Sequence, residues 1–282
     1  MTDLTVLSTY QTKPLLKARQ QGVENVVSSI DLGLNEATIE LNDNFVTLPD
    51  EQTLSWELVE EIHKNDTSCY LVENNEIEKI KFFSETINRA YSLMPTASAP
   101  TMLVAGFPMH RIKGTNPFKD TLSKIAAAKP VTGQVLDTTM GLGYTATQAS
   151  KTAVHVTTIE FDPTVVEVCR HNPWSQGLFD NPKITRLIGD AYDVVPEFED
   201  GRFDRVIHDP PTFSLAGHLY STEFYEDLYR VLTPKGRLFH YIGNPKSKSG
   251  ANVTRGVVRR LQDAGFKRII PKPGAFGVLA LK

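Results

Sequence analysis

Short apolar runs alternate with amphipathic stretches through the last 165 or so residues of the chain, a spacing typical of strand and helix in turn. The predicted strands lie at 133–138, 154–160, 183–188, 203–208 and 236–242. The predicted helices lie at 117–128, from 144, from Pro163, from 191, at 221–232 and at 252–264. Regular alternation of this kind favours a mostly parallel sheet covered by helices on both faces.

Two further apolar runs, near 267–270 and 275–281, predict a closing hairpin because only a short stretch with Gly274 separates them. We therefore predict an α/β fold with a doubly wound, mostly parallel seven-stranded sheet. A small N-terminal β-rich domain precedes it.

The first hundred residues have a different pattern, with short strands and one clear helix. The predicted strands lie at 26–34, Ala37–Leu41, 45–48 and 68–72. Thr53 is the predicted cap of a helix that runs to about Lys64, and Asn74-Asn75 predicts a turn. The proline-bearing segment 94–100 is the predicted linker, so we expect domains at 1–98 and 99–282.

Polar and small residues follow four of the predicted strands. Asp137 precedes a loop with Gly141 and Gly143, and Glu160 ends the next strand. Asp190-Ala191 and Asp209-Pro210-Pro211-Thr212-Phe213 follow the strands after that. Because the carboxyl ends of parallel strands share one edge of a sheet, these residues predict a site for a nucleotide-like ligand.

This set of motifs resembles the class I S-adenosylmethionine-dependent methyltransferases over about residues 116–282. The resemblance implies S-adenosyl-L-methionine as cofactor. It implies that Asp137 and the glycine loop hold the methionine part, that Glu160 binds the ribose, and that Asp190 approaches the adenine. The implied cofactor residues are Asp137, Gly141, Gly143, Tyr144, Thr145, Glu160, Asp190, Ala191 and Asp209.

A dinucleotide-binding site is the close competitor, since its loop is also rich in glycine. That fingerprint needs a third glycine, and Gly143 is followed by Tyr144, Thr145, Ala146 and Thr147. Asp137 would also repel a phosphate, whereas it suits the positively charged amino group of adenosylmethionine. The sequence therefore favours the methyltransferase type of site.

The loop after the fourth sheet strand carries the predicted chemistry. Two prolines stiffen it, so that Asp209 and the Pro210 carbonyl can accept hydrogen bonds from a planar amine while Phe213 lies against its ring. The loop resembles that of methyltransferases acting on nucleobase nitrogens, including some that modify ribosomal RNA. Asp209, Pro210, Pro211 and Phe213 are the predicted catalytic residues.

Residues 219–236 resemble the matching segment of spermidine synthases, which use decarboxylated adenosylmethionine on the same fold. That resemblance implies an aminopropyltransferase as the alternative function. The glycine loop here is poorer in glycine than theirs, and no carboxylate follows Asp209 before Glu223. A polycationic acceptor would need more acids there, so methyl transfer is favoured.

As a whole, the chain resembles an archaeal-type predicted methyltransferase family that combines both features. A protein that binds adenosylmethionine without turning it over is a second alternative. Cofactor binding without product would distinguish it from the two enzymes.

Charge is distributed unevenly along the chain. Residues 1–100 hold 7 Lys and Arg against 16 Asp and Glu, whereas residues 241–282 hold 9 against 1. The basic C-terminal segment either packs near the acidic domain or forms a positive surface for RNA or another nucleic acid. It includes a predicted polar loop at 244–250.

The remaining composition favours a cytoplasmic protein without a membrane partner. Cys69 and Cys169 have no metal-binding or CxxC spacing, and we expect them to be reduced and buried. No cluster has metal-ligand spacing, so we expect no metal. No segment has the length of a membrane span or the pattern of a signal peptide.

Overall fold

The computed structural model describes residues 4–244 and 248–282, and the chain divides into two compact units. The first comprises Met1–Phe118 and Thr164–Gly177, and the second comprises Lys119–Pro163 and Leu178–Lys282. None of the helices within the described ranges combines the length and the apolarity needed to cross a bilayer.

The first unit is β-rich, with two helices near its start. In chain order its elements are β1 (Thr5–Leu7), α1 (Thr9–Gln20), β2 (Asn25–Ser28), β3 (Ala37–Leu41), β4 (Phe45–Thr47), β5 (Thr53–Ser55), α2 (Trp56–Lys64), β6 (Tyr70–Glu73), β7 (Glu76–Lys79), β8 (Lys81–Ser84), β9 (Arg89–Met94), β10 (Thr101–Val104) and β11 (Phe107–Pro108). They form sheets in the orders β1-β6-β7, β2-β3-β4-β5 and β11-β10-β9-β8. Fully buried Leu7, Leu15, Ile39, Leu54 and Ile62 belong to the core of this unit.

The segment 94–100, predicted as a linker, connects two strands of one sheet. Met94 at the end of β9 pairs with Thr101 at the start of β10 in an antiparallel register. The first unit therefore extends to Phe118, beyond the boundary expected at residue 98.

Helix α2 begins two residues later than predicted. Thr53 lies in strand β5, where it pairs with Thr47, and its N–H donates to Asn75 Oδ1 at 2.7 Å. Ser55 is the cap instead, because its hydroxyl accepts a hydrogen bond from the Leu58 N–H. The predicted turn at Asn74-Asn75 is confirmed by two positive φ angles, 55° and 64°.

The remaining elements alternate as the apolar pattern predicts. In chain order they are α3 (Pro117–Ala128), β12 (Gln134–Asp137), α4 (Tyr144–Ser150), β13 (His155–Glu160), α5 (Pro163–Arg170), β14 (Ile184–Ile188), α6 (Ala191–Val194), β15 (Phe203–His208), α7 (Thr222–Val231), β16 (Leu232–Tyr241), α8 (Lys248–Asp263), β17 (Arg268–Lys272) and β18 (Gly277–Leu281). Of the polar loop predicted at 244–250, residues 245–247 lie outside the described residues.

The second unit contains one seven-stranded sheet, in the order β14-β13-β12-β15-β16-β18-β17. The first five strands in that order are parallel to one another, and β18 is antiparallel to both β16 and β17. The predicted mostly parallel sheet of seven strands and its closing hairpin are thereby confirmed.

Large buried side chains hold the sheet and its helices together in the second unit. Phe203 on β15, Leu238 on β16 and the pair Phe224 and Tyr225 on α7 all belong to one core cluster, and none is more than 1% exposed. Burial of side chains this large stabilises the fold by about 1.5–3 kcal/mol each. The core therefore also holds the ends of these strands in place.

Two glycines in the loop between β12 and α4 have different constraints. Gly141 and Gly143 both have positive φ angles, 52° and 71°. A Cβ on Gly143 would lie 2.0 Å from Leu178 Cδ1, whereas one on Gly141 would meet nothing within 4 Å.

We expect Gly143→Ala to lower the free energy of unfolding by about 2–4 kcal/mol, through backbone strain and overpacking. Gly141→Ala is the matched control and should lose only about 1 kcal/mol, from backbone strain alone. Urea unfolding of both variants measures the difference. Equal losses would show that the contact with Leu178 does not constrain the loop.

Candidate active site

Three acidic side chains meet at the carboxyl edge of the sheet. Asp137 ends β12 and Glu160 ends β13, and these strands are neighbours. Asp209 directly follows β15, the other neighbour of β12. The register therefore brings together three of the four acids that the sequence predicts for one site.

Hydrogen bonds tie the glycine loop to the strand ends on both sides. The Met140 N–H donates to the Ile159 carbonyl at 2.7 Å, and the Thr139 hydroxyl donates to the Asp209 carbonyl at 2.8 Å. Open space lies beside Gly141. A ligand can therefore approach the backbone there without meeting a side chain.

Glu160 points into this loop. Its carboxylate accepts hydrogen bonds from the Gly141 N–H at 2.9 Å and from the Asp162 N–H at 3.1 Å. Burial raises the pKa of Glu160 to about 7, although these N–H groups act in the opposite direction. A carboxylate in this place can accept hydrogen bonds from the two hydroxyls of a ribose.

Asp137 is fully buried and only partly satisfied. Its Oδ2 accepts a hydrogen bond from the Thr158 hydroxyl at 2.8 Å, while Oδ1 accepts none from the described residues. Burial raises the pKa of Asp137 to about 8, and the nearby carboxylates of Asp209 and Glu160 add to the shift, although hydrogen bonds from the Thr158 hydroxyl and the Thr139 N–H act in the opposite direction. A buried acceptor without a donor is costly, so this atom fits the amino group of a ligand.

The adenine end of the predicted site lies at the start of α6. Asp190 caps that helix by accepting from the Tyr192 N–H, and its Oδ2 lies 3.0 Å from Nε2 of half-exposed His218. Ala191 is buried beside it. Tyr144 and Thr145 are buried in the first turn of α4, directly after the glycine loop.

The loop after β15 presents a mixed surface. Pro210 is buried, whereas residues 211–215 are exposed. The Pro211 carbonyl accepts a hydrogen bond from Tyr220 at 2.9 Å, and the ring of Tyr220 lies edge-on to Phe213. Arg260 of α8 lies 6.0 Å from the centre of the Phe213 ring. An aromatic ring and a cation are therefore part of the surface of this loop.

A buried lysine on α3 is the functional residue that the sequence analysis missed. Lys124 Nζ donates to Asp209 Oδ2 at 2.6 Å and lies 2.9 Å from Asp120 Oδ2. Both charges occupy the buried face of the helix together with Thr121 and Ala128, while Leu122 is 43% exposed. A charged pair four residues apart on the otherwise buried face was the available signal.

Two histidines behind the site are structural. His208 Nδ1 lies 2.7 Å from Thr138 Oγ1, and His240 Nε2 lies 2.8 Å from Tyr225 Oη. Burial lowers the pKa of His208 to about 3 and the pKa of His240 well below its ordinary value. Both side chains are therefore neutral packing groups.

No group of three His, Cys, Asp or Glu side chains within the described ranges has the arrangement of a metal site. What the site offers instead is unpaired carboxylate oxygen beside an open loop. This chemistry suits a cationic organic ligand rather than a phosphate.

The sheet order and the loop after β12 define a Rossmann-like fold of the class I methyltransferase type. A model of the spermine/spermidine synthase domain matches residues 141–251. The crystal structure of spermidine synthase from Thermotoga maritima has a TM-score of 0.57, with 18% identity over 75% of this chain and 77% of that one. At that identity the likeness shows the fold alone.

Two relatives define the family of the chain more closely. An uncharacterised protein of the archaeon Methanocaldococcus jannaschii, MJ1233, is 46% identical over 82% of this chain and 80% of its own length. The polyamine aminopropyltransferase of Sulfolobus acidocaldarius is 33% identical, but the match covers only 34% of this chain and 33% of that enzyme. The chain therefore belongs to the family of MJ1233 and shares a segment with the aminopropyltransferases.

Asp137 makes stability depend on pH in a defined direction. Its pKa in the folded protein, about 8, lies above the ordinary value of 3.8, so the folded state retains a proton that the unfolded state loses. This contribution is fully present below about pH 4 and is lost as pH rises towards 8.

Asp137→Asn removes the titrating group. The free energy of unfolding of the variant minus that of the wild type should therefore rise by up to about 1.4 kcal/mol per pH unit between pH 5 and pH 7.5. Urea unfolding at several pH values measures this difference. A difference that stays flat or falls would show that Asp137 ionises freely in the folded protein.

Proposed function

We propose that the second unit transfers a methyl group from S-adenosyl-L-methionine to a nitrogen atom of a planar acceptor, with a nucleobase in RNA or another nucleic acid as the favoured class. The observation that carries this proposal is buried, incompletely paired carboxylate beside an open glycine loop. Adenosylmethionine supplies an electrophilic methyl group on a sulfonium, and both its sulfonium and its amino group are cationic.

The donor side would use the residues at the ends of β12, β13 and β14. Asp137 Oδ1 would accept from the amino group, and Gly141 would let the donor approach the backbone. Glu160 would exchange the Gly141 N–H for the ribose hydroxyls. The full donor set remains Asp137, Gly141, Gly143, Tyr144, Thr145, Glu160, Asp190, Ala191 and Asp209.

The acceptor side would use the loop after β15. Asp209 Oδ2 is occupied by Lys124, while neither Oδ1 nor the Pro210 carbonyl has a hydrogen bond from the described residues. These two oxygens would hold the amine that accepts the methyl group. Phe213, half-exposed, would stack on the ring that carries it. The protein would contribute mainly alignment and an acceptor for the proton that leaves the nitrogen.

Aminopropyl transfer to a polyamine is the second candidate, and the comparisons favour it. Its support is the spermine/spermidine synthase domain match over residues 141–251 and the shared segment with polyamine aminopropyltransferases. Charge at the acceptor loop opposes it, since no acid lies between Asp209 and Glu223. Arg260, which lies 6.0 Å from the centre of the Phe213 ring in this loop, would also repel a polycation.

The transferred group separates the two candidates. We expect calorimetry to detect binding of adenosylmethionine, with weaker binding of its decarboxylated form. Incubation of the full chain with each donor and with RNA, DNA and polyamine fractions should add about 14 Da to the acceptor, the mass of a methylene. A gain of about 57 Da with the decarboxylated donor would establish the second candidate instead. Donor binding without any product would contradict both enzymes.

Glu160→Gln tests the donor site directly. The variant retains the shape of the side chain but loses the charged acceptor for the ribose, so donor binding should weaken by about 1–3 kcal/mol. Isothermal calorimetry with adenosylmethionine measures the loss, and Glu199→Gln, an exposed position, is the control. Unchanged affinity in Glu160→Gln would place the donor elsewhere.

Asp209→Asn tests the acceptor side with the substrate that the fraction screen identifies. Loss of a group that takes up the proton should lower kcat by about 100-fold or more, and the donor Kd should change little. Phe213→Ala should mainly raise KM, because stacking on a base contributes about 1–3 kcal/mol. Steady-state kinetics distinguishes these effects. A raised donor Kd with unchanged kcat in Asp209→Asn would contradict this role.

Two sequence predictions remain predictions. One is contact between nucleic acid and the basic segment 241–282, and the other is a cytoplasmic location.

A further inference from the structure

A buried ion cluster lies directly behind the acceptor loop. The Lys124 ammonium is bound by Asp209 at 2.6 Å and by Asp120 at 2.9 Å, and the side chains of Lys124 and Asp120 are 5% and 0% exposed. The ring of Tyr241 covers the ammonium, with its centre 4.5 Å from Nζ. The position of the charged atom is therefore fixed from three sides.

Stability gives no sufficient reason for this arrangement. Buried ion networks can often be replaced by apolar side chains of similar volume with no loss of stability. Helix α3 already buries small and apolar residues on this face, including Thr121 and Ala128. The one member of the cluster that is partly exposed, Asp209 at 21%, is the one that faces the proposed acceptor.

Lys124 leaves Asp209 with one occupied and one available oxygen. It binds Oδ2, and no described residue donates to Oδ1. A carboxylate without this contact could rotate about its terminal bond, a torsion with a broad energy profile. The lysine thus orients the carboxylate as well as compensating its charge.

We propose that Lys124, held by Asp120, is a positioning residue that keeps Asp209 ionised and turns its Oδ1 towards the acceptor nitrogen. This inference rests on the proposed function. It also selects among acceptors, because Lys124 makes Asp209 a weaker base than a carboxylate buried without a cation. Such a base suits a nitrogen that is already uncharged at neutral pH, as the amino group of an aromatic ring is, rather than an aliphatic ammonium.

Asp209 is surrounded by more acidic groups than basic ones. Burial raises its pKa, Lys124 acts in the opposite direction, and Asp120 adds to the rise. The charge of Asp209 also raises the pKa of Asp137 and of Tyr220, which shows that they are coupled. The groups that face Asp209 or its partner lysine are Asp120 on α3, Asp137 on β12, Tyr220 before α7 and Tyr241 on β16.

The signs of the expected shifts follow from this arrangement. Lys124→Met removes the cation from Asp209 and leaves the carboxylates, so the pKa of Asp209 should rise by at least about one unit. Asp120→Asn removes a carboxylate and retains an oxygen that can accept from Lys124, so the pKa of Asp209 should fall or stay unchanged. A purely structural role would not raise the pKa of Asp209 in Lys124→Met while leaving it unchanged or lowering it in Asp120→Asn.

Carbon-13 NMR of the full chain labelled at aspartate carboxyl groups measures the titration of Asp209, with Asp209→Asn to assign its resonance. This measurement needs no acceptor, so its outcome is independent of whether the proposed transfer reaction is found. Lys235→Met, which removes an exposed lysine of the same unit, is the matched control and should leave the titration unchanged. If Lys124→Met does not fold, Asp120→Asn and Lys124→Arg still test the direction of the pKa shift of Asp209.

A titration of Asp209 that is the same in the wild type and in Lys124→Met would overturn the proposal. So would shifts of the same sign in Lys124→Met and Asp120→Asn. Once the screen has identified an acceptor, the kinetics add a second test. Lys124→Met should then lower kcat and move the acidic limb of the pH profile upwards, while the Kd of adenosylmethionine stays within about threefold.

Discussion

Desolvation of three carboxyl groups at one edge of the sheet is the constraint on which this site depends. Parallel strands end together, so Asp137, Glu160 and Asp209 are brought to the same edge by the register of β12 with its two neighbours. Each carboxylate is desolvated, and each loses part of the stabilisation that water would supply. Lys124 compensates Asp209, backbone N–H groups stabilise Glu160, and Asp137 keeps an unpaired oxygen. A cationic ligand would compensate for part of the stabilisation that these carboxylates lose on burial.

Rigidity of the same edge makes the charges useful for alignment. The loop after β12 is hydrogen-bonded to the ends of both β13 and β15, and a Cβ on Gly143 would lie 2.0 Å from Leu178 Cδ1. Residues 211–215, which follow Asp209 and Pro210, are exposed. The site thus combines a fixed donor side with an exposed acceptor side, as expected for an enzyme whose contribution is mainly to align two reactants.

The sheet could be predicted from the sequence because its strands are apolar and because the residues that follow them are ones that rarely continue a strand. Strand β15 runs over Phe203–His208 as predicted, since the apolar run stops at Asp209 and two prolines. Strand β16 begins at Leu232, four residues before the predicted start. The prediction began too late because Pro234-Lys235-Gly236 has the composition of a turn. The strands β1, β5 and β7 to β11 were not predicted, because most of them are only two to four residues long and too short to show a clear apolar pattern.

The acids of the site could be predicted because they lie at or directly after strand ends. Lys124 and Asp120 lie in a helix and could not be recognised in that way. Charged residues four apart on a helix ordinarily lie in solvent, where such pairs add a few tenths of a kcal/mol. Here they face inward, and only the position of Asp209 across the sheet edge gives them a partner. Contacts between residues 85 positions apart are set by tertiary structure, which local patterns do not encode.

A crystal structure of the full chain with adenosylmethionine tests the central claim most directly. We expect the amino group of the ligand within hydrogen-bond distance of Asp137 Oδ1, and the Glu160 carboxylate on the ribose instead of the Gly141 N–H. The methyl group should face Asp209 Oδ1 and the Pro210 carbonyl. A ligand bound away from the β12 and β13 strand ends, with Glu160 still on the glycine loop, would contradict the assignment of this edge as the donor site.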